Sequence, residues 1–372
     1  MRRSAAILGA GLALALGASG CGAASTVTTE ASTPKPTPLD FSLATPAATY
    51  AVVAMGDLHQ ADNTFWQLLV RPAGTSRWSL RTPEGAASNG GLALAAHGPR
   101  ALVAVLPSGR LEYSPLAVSP DDASSYRPGV ADFAVEAGVD SVAIGPRTAA
   151  AVSRDGLWTA RSASRGPWSE TLGLRSLDRE PSSRSCDPVS FDAVSESPYG
   201  ELLGVTCGRR GQVGVFRSTP SGWVRDAPGF PSARHEDLEV IALAPSSAGI
   251  VAVVADRSGA FGAAWLGAGD HWRSTAMVDS GGPLRSVALS ASGTVNLSGG
   301  PPGRIWAREV ATGEEWSRST PTPSGTGVVV AGRSGDEALV VDRSVLSVEL
   351  RSGTHWLRVQ RLHIPIAYGS SS

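Results

Sequence analysis

Lysine is all but missing. Lys35 is the only one in 372 residues, and every other basic residue is arginine. No P-loop lysine and no Schiff-base lysine can therefore exist beyond residue 35. The plain reading is the coding bias of a GC-rich genome. Net charge is −1 and no basic run occurs, so the electrostatic footprint of a nucleic-acid binder is absent. Only six histidines are present, and neither C-x-x-C nor H-E-x-x-H occurs, so no metal and no cofactor is expected. G-x-S-x-G is missing too, as is a G-x-G-x-x-G placed before a helix. No stretch sustains a 3.6-residue period, which predicts almost no helix.

What is present is a repeat. Tryptophans close short Gly- or Ser-rich turns at 78, 168, 223, 272, 316 and 356, as in Gly269-Asp270-His271-Trp272 and Gly353-Thr354-His355-Trp356. The last four gaps are 55, 49, 44 and 40, while the first is 90. Tyr126 splits that long gap into 48 and 42, giving seven units with a mean spacing of about 46. A period of this size, with short apolar runs between Gly/Ser/Pro/Asp turns, is the signature of propeller blades. The expectation is an all-β, seven-bladed β-propeller, with six or eight blades as the alternative, after a disordered N-terminal tether. Gly 43 and Pro 26 suit many strands joined by tight turns, and 42% hydrophobic residues suffice for a large core.

Each unit reads as four strands. The innermost are 92–96, 141–145, 189–194, 240–244, 286–290 and 327–331, rich in Ala, Val and Gly that can crowd an axis. Second strands follow at 51–55, 102–106, 149–152, 202–206, 251–255, 295–298 and 338–341. Third strands carry Trp66, Tyr113, Trp158, Phe216, Trp265 and Trp306, and the fourth begins near the closing tryptophan. A residue type recurring once per unit is packing before it is a sugar platform. The first unit has two possible completions: Phe41–Leu43 as its inner strand, or the C-terminal Leu357–Ile366 closing a shared blade. An open ring would leave two unpaired edges.

The N-terminus is of another kind. Met1-Arg2-Arg3 precedes an apolar run from Ala5 to Leu16, too short for a stable membrane span and suited to a signal-peptide core. It ends in Ala18-Ser19-Gly20-Cys21, which resembles the lipobox of bacterial lipoproteins, although that family usually has leucine where Ala18 stands. The resemblance implies a secreted lipoprotein of actinobacterial type. Cys21 would be lipidated and hold the chain on the outer face of the cell membrane. The alternative is an ordinary secretory signal with a chance cysteine. The domain plan is thus signal peptide 1–21, Ser/Thr/Pro-rich linker 22–46, propeller 47–366 and tail 367–372, acting as a monomer. With Cys21 modified, Cys186 and Cys207 remain in an exported protein and are expected to pair, with two reduced thiols as the alternative. They flank an inner strand and its antiparallel return, so both fall at one end of one blade.

The turn between second and third strands carries arginine in six of seven units: Arg110, Arg154, Arg209 with Arg210, Arg257, Arg304 and Arg343. The first unit has Asp57 and His59 instead. In propellers this turn shares a face with the connections into inner strands, here including Arg234-His235-Glu236-Asp237. One face would then present a ring of guanidinium groups fit for an anion or a glycan. The competing reading is that arginine is the one available cation for solvated turns, often beside Asp155, Asp256 or Asp342.

The Gly-x-x-Trp at 269–272, 313–316 and 353–356 resembles the end of the Asp-box, Ser-x-Asp-x-Gly-x-x-Trp, of sialidase-like (BNR) propellers. The Ser and Asp are missing, and the family's arginine triad and Tyr/Glu nucleophile pair are not recognisable. The Gly-His and Trp-Asp signature of WD40 repeats is absent. The expected function is therefore a membrane-anchored, non-catalytic binding or scaffold module for a protein, glycan or cell-wall polymer. The alternative is a sialidase-like hydrolase or lyase using acids among Asp57, Glu236 and Asp237.

Overall fold

The computed structural model describes residues 40–55, 65–81, 91–97, 100–106, 112–113, 115–118, 133–134, 139–145, 148–161, 168–197, 200–230, 238–256, 259–269, 271–279, 284–299, 306–318, 327–332, 335–342, 345–353 and 355–363. Among these, regular structure is nearly all strand, laid down as successive antiparallel meanders. The 188–225 meander is representative: Pro188–Ser197, Gly200–Cys207, Val213–Thr219 and Gly222–Arg225 pair in chain order. Its middle strands are buried on both sides because meanders stack face to face. The same sandwiching makes Ala260–Leu266 buried at every position, so such strands read as continuous apolar runs without a two-residue alternation.

Six meanders open on a first strand where the expected small apolar residues cluster: Gly91–His97, Val139–Ile144, Pro188–Ser197, Glu239–Ser246, Leu284–Leu289 and Gly327–Gly332. Five first strands converge. Leu43, Leu94, Val142, Val194 and Leu243 all border one narrow space of about 10 Å³, room for about one water. Between neighbours, the faces form contiguous cores. Val152, Leu157, Leu203, Val205 and Phe216 join the 139–173 and 188–225 meanders, while Leu202, Val215, Val240 and Val254 join the latter to 239–279.

The closing tryptophans stand at or beside the start of a fourth strand, and three make one kind of contact. Trp272 Nε1 donates to the carbonyl of Asp226 at 2.9 Å, and Trp316 Nε1 to Thr275 Oγ1 at 2.9 Å. Each indole thus reaches the meander that precedes its own. Trp78 lies in the first meander, and its Nε1 donates to Glu337 Oε2 at 2.7 Å, in the last. Gln360 adds two bonds across the same junction, accepting from Trp78 N and donating to Trp78 O, both at 2.7 Å. The first meander treats the last as its predecessor, so the chain closes on itself.

The first meander is completed by Asp40–Ala44, which pairs with Ala48–Met55. This is the Phe41–Leu43 option, and it starts the fold inside the segment assigned to the linker. Phe41, Leu43 and Ala44 supply enough apolar surface to order that stretch despite the Pro- and Thr-rich text before it. The C-terminal His355–His363 is the fourth strand of the last meander and not a shared blade. Asp40–Ala44 also pairs in parallel with Leu284–Leu289, fusing two meanders into an eight-stranded sheet. One face of that sheet packs on the 239–279 meander through Tyr50, Leu68 and Trp265. The other packs on the last meander through Leu69, Leu339 and Val348.

One third-strand expectation needs correction. Tyr113 does not mark a third strand, because the apolar Pro115–Val118 pairs with Arg100–Leu106 in that role. Glu112–Tyr113 pairs instead with Phe133–Ala134 in a separate two-stranded sheet. A short insertion, an α-helix at Leu174–Asp178 and a 3₁₀ turn at Pro181–Ser185, also interrupts the strands. Five residues are too few to show a helical period, and buried Leu177 anchors them.

Cys186 and Cys207 form a disulfide, both fully buried at the end of that meander. The adjoining strand approaches so closely that a Cβ on Gly214 would sit 2.4 Å from the Val205 carbonyl oxygen and 3.0 Å from Cys207 Sγ. The cysteines are 21 positions apart, so their replacement by serine is expected to cost about 3 kcal/mol. Denaturant unfolding of the Cys186→Ser/Cys207→Ser variant checks this.

Candidate functional site

Arg154 and the Arg209–Arg210 pair lie in exposed turns between second and third strands. Both turns are tied to one segment: the Arg154 carbonyl accepts from Phe191 N at 2.9 Å, and Arg209 N donates to the Cys186 carbonyl at 3.1 Å. The structure therefore brings these two turns to one end of the fold, beside the disulfide. Asp57, His59, Arg110, Arg234, His235, Glu236, Asp237, Arg257, Arg304 and Arg343 lie outside the described residues, as do Tyr126 and Cys21.

A better-formed site sits at the opposite end of the strands, where the first and last meanders meet. A cavity of about 380 Å³ opens there, bordered by Thr49, Arg71, Pro72, the 73–76 turn, Glu337 and Leu350. Arg71 ends the third strand of the first meander, and Glu337 lies near the start of the second strand of the last. Their side chains form an ion pair although only 8% and 1% of each is exposed. Arg71 Nη2 also donates to Thr49 Oγ1 at 3.3 Å. The guanidinium lies 5.4 Å from the Trp78 ring centroid, within cation–π range. Both Glu337 oxygens are engaged, one by Arg71 and one by the indole. Two opposite charges, held rigidly and net neutral, thus border an open space. Sequence reasoning missed this pair. The available signal was Arg71 near the end of Phe65–Pro72 and Glu337, beside Asp336, near the start of Gly335–Asp342, in strands otherwise rich in apolar residues.

Two carboxyls away from the cavity are perturbed. Asp192 is the extra residue of a bulge between Phe191 and Ala193. Its oxygens accept from Ser190 Oγ and Thr206 Oγ1, each at 2.8 Å. Burial, reinforced by Glu239, nevertheless pushes it up to about 7. Glu201, cross-strand from Glu196, is likewise raised to about 7 by burial and then by that neighbour. Their ordinary values are 3.8 and 4.5. Between those values and 7 the folded chain holds protons that the unfolded chain has released, so stability is full at low pH and falls as pH rises through 7. The melting temperature is expected to drop between pH 5 and pH 8, and Asp192→Asn to reduce that drop. Calorimetry of both proteins across this range checks it.

No known family pattern matches the chain, and no curated protein matches it in sequence. Solved structures do. One is a provisionally assigned 6-phosphogluconolactonase from Bacteroides uniformis, similar over 86% of this chain and 97% of its own, with a TM-score of 0.56 and 13% identity. The fold is β-propeller-like. Apo AztD from Citrobacter koseri is similar over 87% of this chain and 86% of its own, at a TM-score of 0.49 and 6% identity. The Aleuria aurantia lectin bound to Fucα1-6GlcNAc covers 78% of this chain and 97% of its own, at 0.49 and 12%. Identities this low carry architecture, not ligand or reaction.

Proposed function

We propose that the protein is a lipid-anchored propeller of seven blades that works outside the cytoplasm as a non-catalytic binding or scaffold module for a protein, glycan or cell-wall polymer. The count of seven is supported by a mean spacing of about 46 when Tyr126 is counted with the six closing tryptophans and by closing indoles that reach the preceding meander. Cys21 supplies the anchor in this reading, with residues beyond it as the tether.

The observation that carries the binding reading is the junction cavity. Among the described residues Glu337 is the one carboxylate bordering it, and it is already committed to Arg71 and Trp78. Glycoside hydrolysis needs two carboxylates about 5–10 Å apart with separate roles. A fixed, charge-balanced cavity with one carboxylate suits recognition. The test is an array of glycans, cell-wall polymers and peptides probed with the full chain in a non-glycosidic detergent. The expected result is saturable binding with every probe recovered intact. Cleaved probes would establish the hydrolase instead, and an array without binding would remove the proposal. Arg154→Ala and Arg209→Ala/Arg210→Ala belong in the same experiment, since unchanged binding would dismiss the arginine-lined end.

A further inference from the structure

We infer that the junction cavity is a site for a neutral, polyhydroxylated unit, a sugar or comparable vicinal diol, held by Arg71 and Glu337 together. This deepens the binding reading above and rests on it.

About 380 Å³ falls within the range of small-molecule sites. Charge then selects the ligand class. Arg71 and Glu337 cancel, so the cavity offers no net attraction to an ion. An anionic ligand would gain from Arg71 and be repelled by Glu337, and a cation would meet the reverse. A hydroxyl escapes this conflict because it is donor and acceptor at once. One hydroxyl of a diol can accept from the guanidinium fork while its neighbour donates to a remaining lone pair of the carboxylate. Hydrogen bonds to charged groups are the stronger kind, and both groups are more than nine-tenths buried, where water competes least. Thr49 adds a third polar group beside Arg71. Ala48, Pro72 and Leu350 provide apolar wall for the carbon face of a ring.

A purely structural role does not account for the open space. The junction is already fastened by the paired Trp78–Gln360 bonds, and neither of those residues borders the cavity. A latch alone would favour closing over the ion pair and filling the gap, as interiors do elsewhere. Instead two costly buried charges face a void whose rim, residues 73–76, is exposed.

The test titrates methyl glucoside and methyl galactoside, with glucuronate and glucosamine as charged counterparts, into the full chain in a non-glycosidic detergent. Saturation-transfer NMR and calorimetry read the binding. A neutral glycoside is expected to bind at least about tenfold tighter than its charged counterparts. Ala73→Trp, which plugs the mouth from an exposed turn and leaves the ion pair alone, is expected to abolish binding. Thr49→Val, which keeps the shape and removes one hydroxyl, should weaken it about tenfold, the worth of roughly one neutral hydrogen bond. Arg175→Ala, on the exposed face of the short helix Leu174–Asp178, should change nothing. Equal binding of charged and neutral sugars overturns the ligand class. Sugar binding unaffected by both Ala73→Trp and Thr49→Val overturns the site. Binding to array polymers or peptides with no response to any methyl glycoside overturns this inference alone and leaves the binding module standing. Silence on the array as well removes both.

Discussion

Glu337→Ala is expected to destabilise the fold by about 3–5 kcal/mol, measured by urea unfolding. The magnitude comes from what is left behind. Arg71 would remain nearly buried with its charge uncompensated, and the Trp78 indole would lose its acceptor. Breaking a buried pair from one side is costly for that reason, whereas removing both partners is not. Replacing the pair with Met and Leu of similar volume is expected to fall within about 1 kcal/mol of the parent, or above it. The contrast separates stability from function. The apolar double variant should remain folded and lose the sugar, which Glu337→Ala cannot show cleanly if much of it is unfolded.

Trp265→Ala is expected to cost about 3–5 kcal/mol, while Trp356→Ala costs well under half of that. Trp265 is 2% exposed and sits in the core shared with the eight-stranded sheet. Its Nε1 donates to the Gly293 carbonyl at 2.7 Å, across to the next meander. Truncation would empty a large volume at a junction of two units and leave that carbonyl unpaired. Trp356 lies in the half-exposed terminal strand His355–His363. Thermal melts of the two variants check the ranking. An equal loss in both would mean that Trp265 and Trp356 do the same work, which their difference in burial denies.

Much of this architecture can be read in the chain, and the reason is physical. A buried strand needs an apolar run, a tight turn needs Gly, Pro, Asn or Asp, and the indole column needs a large ring once per unit. All three are local, so the expected strands agree with those observed, as at Ala149–Ser153 and Gly249–Ala255. The disulfide was legible because antiparallel return places Cys207 opposite the start of the strand that follows Cys186. What escaped is non-local or too short. Phe41–Leu43 was one of two readable completions of the first unit, but the parallel pairing of Asp40–Ala44 with Leu284–Leu289, far along the chain, carries no local mark. Arg71 and Glu337 are 266 positions apart, and neither carries a mark of the other. The end lined by Arg154, Arg209 and Arg210 was inferred from turn composition. Turn composition reports exposure well and concavity not at all, and the cavity formed at the other end.

The most direct test of ring closure is a double-mutant cycle on Arg71 and Glu337. If the last meander docks on the first as its predecessor, Arg71→Met and Glu337→Leu will be strongly non-additive, because each alone costs about 3–5 kcal/mol and the pair about 1 or less, a coupling of at least about 5 kcal/mol. Single changes that add to within about 0.5 kcal/mol would mean that the two side chains do not meet, and the closed ring with its cavity would be contradicted.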